Sequence, residues 1–284
     1  MKERVIVTLT TWHKRIRNIP VVLDTIFCQT IPPDVVVLNL SYEETIPAEV
    51  QNYIDSHNIE VNRVPDTKVY KKLIPTLKKY PNDCIINIDD DWLYPEEMIA
   101  DFMDIHEKYP EYPISGNRVI YQGMQCHCGC ASLTKASFFG EYIDKIDQEI
   151  MSNCPSDDMV FTYFANLANH PYIRTKDIYF INMESYNEVE GYSDSIVGND
   201  PIKLTYEYLV KRFDKIDNWL DPYIHNDYLV EIINDICNTK MHIAQNIGAN
   251  EGALSVYSSF SYRVGHNILE PFIWLKSLLA RCVK

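Results

Sequence analysis

The chain has 284 residues, of which 46% are hydrophobic, and a formal net charge of -14 at neutral pH. A chain of this length and composition can bury a large core, which excludes a low-complexity or disordered class of protein. Its acidic balance argues against a nucleic acid as partner, because binding a phosphate backbone requires a basic surface.

The N-terminal residues lead directly into a strand pattern without a long apolar segment, so the sequence predicts no secretory signal. It also contains no run of about 18 or more apolar residues, the length that an ordinary membrane span needs. We therefore expect a cytoplasmic protein whose eight cysteines are reduced thiols.

The first ninety residues alternate between strand and helix patterns. Strands are predicted at residues 4–10, 35–40, 59–64 and 84–88, and helices at 19–27, 48–55 and 73–80. This order predicts a parallel sheet covered by helices, with right-handed crossovers. Neither G-x-G-x-x-G nor G-x-x-x-x-G-K follows any strand, which argues against an ordinary dinucleotide or P-loop site.

The second half of the chain is predominantly helical by pattern. Helices are predicted at residues 98–109, 135–142, 159–169, 201–212 and 223–242, and strands at 118–121 and 178–181. No linker rich in Gly or Ser separates these elements from the first half.

A triple aspartate ends the apolar strand at 84–88. Asp89, Asp90 and Asp91 repel one another, so holding them side by side costs free energy unless a cation or a donor-rich ligand offsets the repulsion. A metal site at the carboxyl end of a buried strand is one interpretation. The alternative is a solvated acidic turn that precedes a helix.

Three segments resemble bacterial glycosyltransferases of the GT-A fold that build surface polysaccharides. The run Y-K-K-L-I-P-T-L-K-K-Y-P-N-D-C-I-I-N-I-D-D-D-W-L-Y-P at 70–95 is similar to that family's lysine-bearing helix, strand and D-D-D-x-x-Y-P segment. V-T-L-T-T-W-H-K-R-I at 7–16 resembles its first strand and loop, and S-D-D-M-V-F-T-Y-F-A-N-L-A at 156–168 its second acidic motif. The resemblance implies an α/β GT-A fold, with a mixed, mainly parallel sheet flanked by helices and a helical C-terminal extension. The expected domains are a catalytic domain at 1–212, a helical extension at 213–254 and an amphipathic basic tail at 255–284.

The resemblance also implies a reaction. A sugar would pass from a nucleotide-sugar donor to a hydroxyl of a glycan or lipid-linked glycan, with Mn²⁺ or Mg²⁺ as cofactor. Asp91 would be the direct metal ligand, with Asp89 and Asp90 holding the ribose or completing the metal shell. The donor-binding residues implied by the resemblance are Thr8, Thr10, Arg15, Asn39, Lys71, Lys72, Asp89 and Asp90, and those implied for the metal are Asp91 and Asp89. For each lysine, a solvated helix face is the alternative.

The acidic pair Asp157 and Asp158 would supply the catalytic base, and Asp158 is our choice of the two. A single base opposite the leaving group implies inversion at the anomeric carbon. The alternative is that Asp157 or Ser156 caps the following helix, which is compatible with catalysis by the neighbouring residue.

Two other functions remain open from the sequence. One is a non-catalytic protein of the same fold that binds nucleotide sugars or carbohydrates, and the paired Asp157 and Asp158 argue against it. The other is a metal-dependent hydrolase, for which the expected histidine-rich or two-metal spacing is missing.

Two further segments carry weaker signals. Cys126, His127, Cys128 and Cys130 invite a zinc interpretation, although C-x-C-x-C crowds its ligands and has no matching second pair. In the tail at 255–284, aromatic and aliphatic residues accompany four basic residues and one acidic residue. This mixture favours an interfacial helix on an anionic membrane, with an oligomer contact or packing on the catalytic domain as alternatives.

Overall fold

The computed structural model describes residues 3–116, 119–121, 124–126, 130–174, 181–182, 200–213 and 216. The chain divides into two units, Met1–Pro222 and Tyr223–Lys284, and every described residue lies in the first. The predicted helix at 223–242, the tail at 255–284 and nearly all of the extension at 213–254 lie outside the described residues. The predicted domain boundaries therefore remain predictions.

The alternation of the first ninety residues is confirmed. The elements are β1 (Val5–Thr10), α1 (Ile19–Phe27), β2 (Val35–Ser41), α2 (Ala48–Ser56), β3 (Glu60–Val64), α3 (Ile74–Lys79) and β4 (Cys84–Ile88). Short 3-10 helices at Ile16–Asn18 and Lys68–Lys72 precede α1 and α3. The two predicted lysines thus lie on the second 3-10 helix and not on the α-helix that follows it.

The later part of the described chain is built from shorter elements. They are β5 (Trp92–Leu93), α4 (Met98–Lys108), β6 (Ile114–Ser115), β7 (Val119–Tyr121), β8 (Met124–Cys126), β9 (Ala131–Thr134), α5 (Gln148–Asn153), α6 (Asp157–Leu167), β10 (Ile173–Arg174), β11 (Ile181–Asn182) and α7 (Pro201–Arg212). The segment predicted as a helix at 135–142 is a 3-10 helix, Ala136–Lys145, broken at Gly140. Gly140 has φ = 51°, a left-handed conformation that glycine adopts without a steric penalty.

Seven strands form one sheet in the order β10-β6-β9-β4-β1-β2-β3. The pairs β1–β2, β2–β3, β1–β4 and β6–β10 are parallel. Strand β9 runs antiparallel to both β4 and β6. The sheet is therefore mixed and mainly parallel, as predicted.

The central strands are covered on both faces by apolar side chains. Ile6 and Leu9 of β1 and Ile85 of β4 have no exposed surface, which explains why these strands read as continuous apolar runs. On α6, Val160, Tyr163 and Phe164 are likewise fully buried, in the core cluster that also holds Ile85. Because β1, β2 and β4 are parallel, the residues that follow all three strands meet at one edge of the sheet.

Within the described ranges, no helix has both the length and the apolar content needed to cross a bilayer.

Candidate active site

The triple aspartate begins where β4 ends, at the carboxyl edge of the central strands. Tyr94 fixes the start of this segment. Its hydroxyl accepts a hydrogen bond of 2.9 Å from the backbone N–H of Asp89 and lies 2.7 Å from the carbonyl oxygen of Cys130, to which it donates. Burial and the charge of Asp89 raise the pKa of Tyr94 well above its usual value, so the hydroxyl keeps its proton. Tyr94 therefore holds the first aspartate against β9.

Asp90 is held by residues that follow β1. Thr11 Oγ1 donates to Asp90 Oδ2 at 2.5 Å, and Arg15 Nη1 donates to Asp90 Oδ1 at 3.1 Å. The same Arg15 nitrogen lies 2.8 Å from Asp91 Oδ2. Burial raises the pKa of Asp90, and Thr11 and Arg15 oppose this rise. Both oxygens of Asp90 thus have protein partners, and its carboxylate ties the β1 loop to the β4 loop.

Lys72 joins the two acidic motifs. Its Nζ lies 2.8 Å from Asp89 Oδ1 and 3.6 Å from Asp157 Oδ2. Burial alone would lower the pKa of Lys72, but the carboxylates of Asp157, Asp89 and Asp158 outweigh burial and raise this pKa well above its usual value. Lys72 is therefore a fixed cation, and its side chain is only 7% exposed. The interpretation of this lysine as part of a solvated helix face is wrong.

Lys71 points elsewhere and does not join this group. Its Nζ contacts Asp66 Oδ1 at 2.5 Å, and its side chain is 6% exposed. For Lys71 too, the solvated-face alternative is wrong. No described contact links its ammonium to the triple aspartate, so a role in donor binding remains a prediction.

Thr8 and Asn39 lie beneath Lys72 and are fully buried. Thr8 Oγ1 donates to the carbonyl oxygen of Lys72 at 2.8 Å, and Asn39 Nδ2 donates to Thr8 Oγ1 at 2.9 Å. Thr76 Oγ1 completes this hydrogen-bond network and lies 2.7 Å from Thr8 Oγ1 and 3.0 Å from Asn39 Nδ2. The two residues therefore fix the main chain that carries Lys72. Direct contact of either side chain with a donor remains a prediction.

Thr10 ends β1 closer to the surface than Thr8. Its Oγ1 donates to the carbonyl oxygen of Asn39 at 2.8 Å, and its side chain is partly exposed. It therefore lies at the carboxyl edge of the sheet, where its predicted contact with a donor remains to be tested.

The second acidic motif lies in the first turn of α6. Ser156 caps this helix, because its side chain accepts the backbone N–H of Met159 at 3.2 Å. The capping alternative thus holds for Ser156 and leaves the carboxylate of Asp157 available for other contacts. Oδ2 of Asp157 is buried and has no hydrogen-bond partner among the described residues. Asp158 is more exposed than Asp157 and contributes to the electrostatic field at Lys72.

The structure brings together most of the predicted site residues. Those within the contact network at the carboxyl edge are Thr8, Thr10, Arg15, Asn39, Lys72, Asp89, Asp90, Asp91, Asp157 and Asp158. Sequence reasoning assigned no role to Thr11 or Tyr94. Tyr94 belongs to the D-D-D-x-x-Y-P segment and Thr11 to the V-T-L-T-T-W-H-K-R-I segment, so each lay within a segment that carries the resemblance.

The donor set suits a hard divalent cation. Asp89 uses Oδ1 for Lys72, and none of the described residues donates to its Oδ2. Asp91 is paired with Arg15, and Oδ2 of Asp157 is buried and accepts no hydrogen bond from the described part of the chain. Carboxylate oxygens are the ligands that Mg²⁺ and Mn²⁺ prefer. These residues therefore supply the ligand type that such an ion takes, although Asp89, Asp91 and Asp157 are not among the described groups of three whose ligand atoms all lie within 4.8 Å of one another.

The chain is similar to solved structures of nucleotide-sugar enzymes. A mannosyltransferase from Pyrobaculum calidifontis, PcManGT, solved in complex with GDP-Man and Mn²⁺, is 16% identical, with a TM-score of 0.57 over 99% of this chain and 85% of its own. S. aureus TarS in complex with UDP is 12% identical, with a TM-score of 0.46 over 73% of this chain and 70% of that one.

A third similar structure is glucosyl-3-phosphoglycerate synthase from Mycobacterium tuberculosis, in complex with Mn²⁺, UDP and phosphoglyceric acid. It is 12% identical, with a TM-score of 0.44 over 63% of this chain and 70% of that one. No protein-family model and no curated protein matches the sequence. The likeness to the mannosyltransferase shows that the chain has the GT-A fold, as predicted.

Proposed function

We propose that this protein is a metal-dependent glycosyltransferase that moves a sugar from a nucleotide-sugar donor to an acceptor hydroxyl. The observation that supports this most strongly is the convergence of two acidic motifs that are far apart in sequence on one buried cation, Lys72. A protein that only binds sugars needs one site for its ligand and has no use for a second set of carboxylates. Glycosyl transfer needs both a stabilised leaving group and a base.

The proposed cofactor is Mn²⁺ or Mg²⁺, held by Asp91 and Asp89. When bound, such an ion stabilises the negative charge of a departing nucleoside diphosphate. The donor set described above supports this proposal, and so does the Mn²⁺ in the complex of the similar mannosyltransferase. A cation also gives an acidic protein affinity for phosphates that its own net charge would repel.

The other residues have separate tasks in the proposed mechanism. Arg15 pairs with both Asp90 and Asp91, and its guanidinium can also pair with phosphate oxygens of the donor. Asp158 takes the proton from the acceptor hydroxyl as the hydroxyl oxygen attacks the anomeric carbon. Asp157, paired with Lys72, holds the start of α6 in position relative to the donor side. Because one base acts opposite the leaving group, the anomeric configuration inverts.

We further propose that the acceptor is a glycan or a lipid-linked glycan and that the protein works in bacterial cell-surface polysaccharide synthesis. The support is the sequence resemblance at residues 7–16, 70–95 and 156–168. A peripheral membrane contact through residues 255–284 belongs to the same proposal. Vesicle flotation of the full chain and of a chain ending at residue 254 tests it, and equal flotation would exclude the membrane contact.

Binding and turnover assays together test the proposed function. In a thermal-shift screen with Mn²⁺, one or more nucleotide sugars should raise the melting temperature, because a ligand that binds only the folded state stabilises it. Nucleotide release should then rise when a matching acceptor is added. Binding without release would favour a non-catalytic binding protein, and release that is indifferent to every acceptor would favour a hydrolase.

A further inference from the structure

Glu3, Cys84 and His106 form a cluster of metal-ligand atoms at the amino end of β4. Glu3 Oε2 lies 3.0 Å from His106 Nε2 and 3.3 Å from Cys84 Sγ, and all three ligand atoms lie within 4.8 Å of one another. The four residue steps of β4 separate Cys84 from Ile88 by about 13 Å. The Glu3–Cys84–His106 cluster is therefore distinct from the triple aspartate at the carboxyl end of the same strand.

Lys135 orients the carboxylate of this cluster. Its Nζ donates to Glu3 Oε1, whereas Glu3 Oε2 makes the contacts with Cys84 and His106. Ligating carboxylates in metal sites are held in the same way by an outer hydrogen-bond donor. Oε2 is left directed at Cys84 and His106.

One side of the cluster is buried in the protein, and the other side is exposed to solvent. Cys84 is fully buried and His106 is 5% exposed, whereas the side chain of Glu3 is 41% exposed. Nδ1 of His106 is buried and has no hydrogen-bond partner within the described ranges. The Glu3 carboxylate is thus the polar group that orients this imidazole, through Nε2.

We propose that the Glu3–Cys84–His106 cluster binds a zinc ion. A thiolate, an imidazole and a carboxylate are the ligand types that Zn²⁺ takes, at about 2.0–2.3 Å each, with water in a fourth position. The exposed side of Glu3 provides entry for the ion and room for that water. Mg²⁺ and Mn²⁺ favour sites made only of oxygen, so this cluster selects a different ion from the one proposed for the triple aspartate.

The zinc ion joins three segments that are far apart in sequence. Glu3 precedes β1, Cys84 begins β4 and His106 lies on α4, with separations of 81 and 103 residues from Glu3. Because the ligands come together only in the folded chain, the free energy of binding adds to the free energy of unfolding. The ion thereby stabilises the position of α4 relative to the amino ends of β1 and β4.

Cobalt spectroscopy on the full chain tests this proposal. Co²⁺ should replace Zn²⁺ in the cluster and give a thiolate-to-cobalt charge-transfer band, which added Zn²⁺ should abolish. Cys84→Ser and His106→Gln should each bind one equivalent of Co²⁺ less than the natural chain. In Cys84→Ser, the charge-transfer band should also lose the intensity that the Cys84 thiolate contributes. Cys28→Ser is the matched control, because Cys28 is a free cysteine outside the cluster, and it should keep both. Cys126, Cys128 and Cys130 remain in every variant, so any metal that they bind cancels in the comparison.

A stability measurement covers the case in which a buried substitution impairs folding. Zn²⁺ should raise the melting temperature of the natural chain, and the exposed substitution Glu3→Gln should remove at least most of that rise. Binding and a zinc-dependent rise that are unchanged in Cys84→Ser or Glu3→Gln would overturn the proposal. So would the absence of any thiolate band in the natural chain.

Discussion

Lys72 Nζ lies 3.6 Å from Asp157 Oδ2, a buried oxygen that has no hydrogen bond among the described residues, and 2.8 Å from Asp89 Oδ1. One ammonium group thus interacts with a carboxylate from each of the two acidic motifs, and its single charge offsets only part of their combined charge. Removing that ammonium, or either carboxylate, changes the charge balance of both motifs together. In the proposed function, this arrangement links the leaving-group side of the site to the side that activates the acceptor.

Replacing Lys72 with Met should destabilise the fold. The substitution leaves the carboxylate of Asp157 buried without a cation, and breaking a buried ion pair in this way costs about 3 kcal/mol or more of unfolding free energy. Urea-induced unfolding measures the change. Lys71→Met is the matched control, because its partner Asp66 is 58% exposed and stays hydrated, so the loss should be below about 1 kcal/mol. Similar losses in the two variants would show that Lys72 has no special role.

The contrast between these neighbouring lysines shows what the sequence could not reveal. The sequence pattern places both just before the predicted helix at 73–80, and a solvated helix face is the alternative to donor binding for each. In the structure they lie on a 3-10 helix, whose three residues per turn direct adjacent side chains about 120° apart. Lys71 therefore reaches Asp66, and Lys72 reaches Asp89. Adjacent side chains would also diverge by about 100° on an α-helix, so the difference depends on where Asp66 and Asp89 lie in the fold, which hydrophobic periodicity does not report.

Other parts of the site follow from the sequence more directly. Asp89 was predictable because a buried strand must end at the sheet edge, and the apolar run of β4 stops at Ile88, directly before it. The partners of Asp90 were not, since Thr11 and Arg15 meet it only through the parallel pairing of β1 with β4. Asn39 shows the opposite difficulty. It lies at the expected carboxyl edge of the sheet, but its side-chain nitrogen Nδ2 already donates to Thr8 and Thr76.

Asp158→Asn should retain donor binding and lose sugar transfer by at least about a hundredfold, because an amide cannot accept the proton of the acceptor hydroxyl. Donor binding can be followed by thermal shift with Mn²⁺, and transfer by nucleotide release in the presence of acceptor. Near-normal turnover would rule out Asp158 as the base. Asp157→Asn is the companion variant. Because Asp157 is paired with Lys72, we expect it to lower stability as well as transfer.

Asp91→Asn should weaken Mn²⁺ binding by at least about tenfold, since changes even in the outer shell of a metal site cost about 10–100-fold. The free Mn²⁺ signal in electron paramagnetic resonance measures this without any donor or turnover. Asp104→Asn removes the same charge from an exposed position of α4 and should leave Mn²⁺ binding unchanged. Equal Mn²⁺ binding by Asp91→Asn and the natural chain would show that Asp91 is not a ligand of the metal.

The pairing of Arg4 with Asp83 should make stability depend on pH. Arg4 Nη2 donates to Asp83 Oδ2 at 2.7 Å and Arg4 Nε donates to Asp83 Oδ1 at 3.1 Å, which joins the residues that precede β1 and β4. The hydrogen bond from Arg4 lowers the pKa of Asp83 below its usual 3.8. A lowered pKa in the folded state adds stability that is fully present above 3.8 and is lost as the pH falls through the lowered value.

Asp83→Asn should therefore unfold at a lower urea concentration than the natural chain at pH 7. The gap between the two midpoints should then narrow as the pH falls below 3.8, the usual pKa of this carboxyl, because the natural carboxyl also becomes neutral. Asp104→Asn again serves as the control and should show no comparable gap at either pH. A gap for Asp83→Asn that stays constant over the whole range would mean that the loss comes from packing or hydrogen bonding and not from the ion pair.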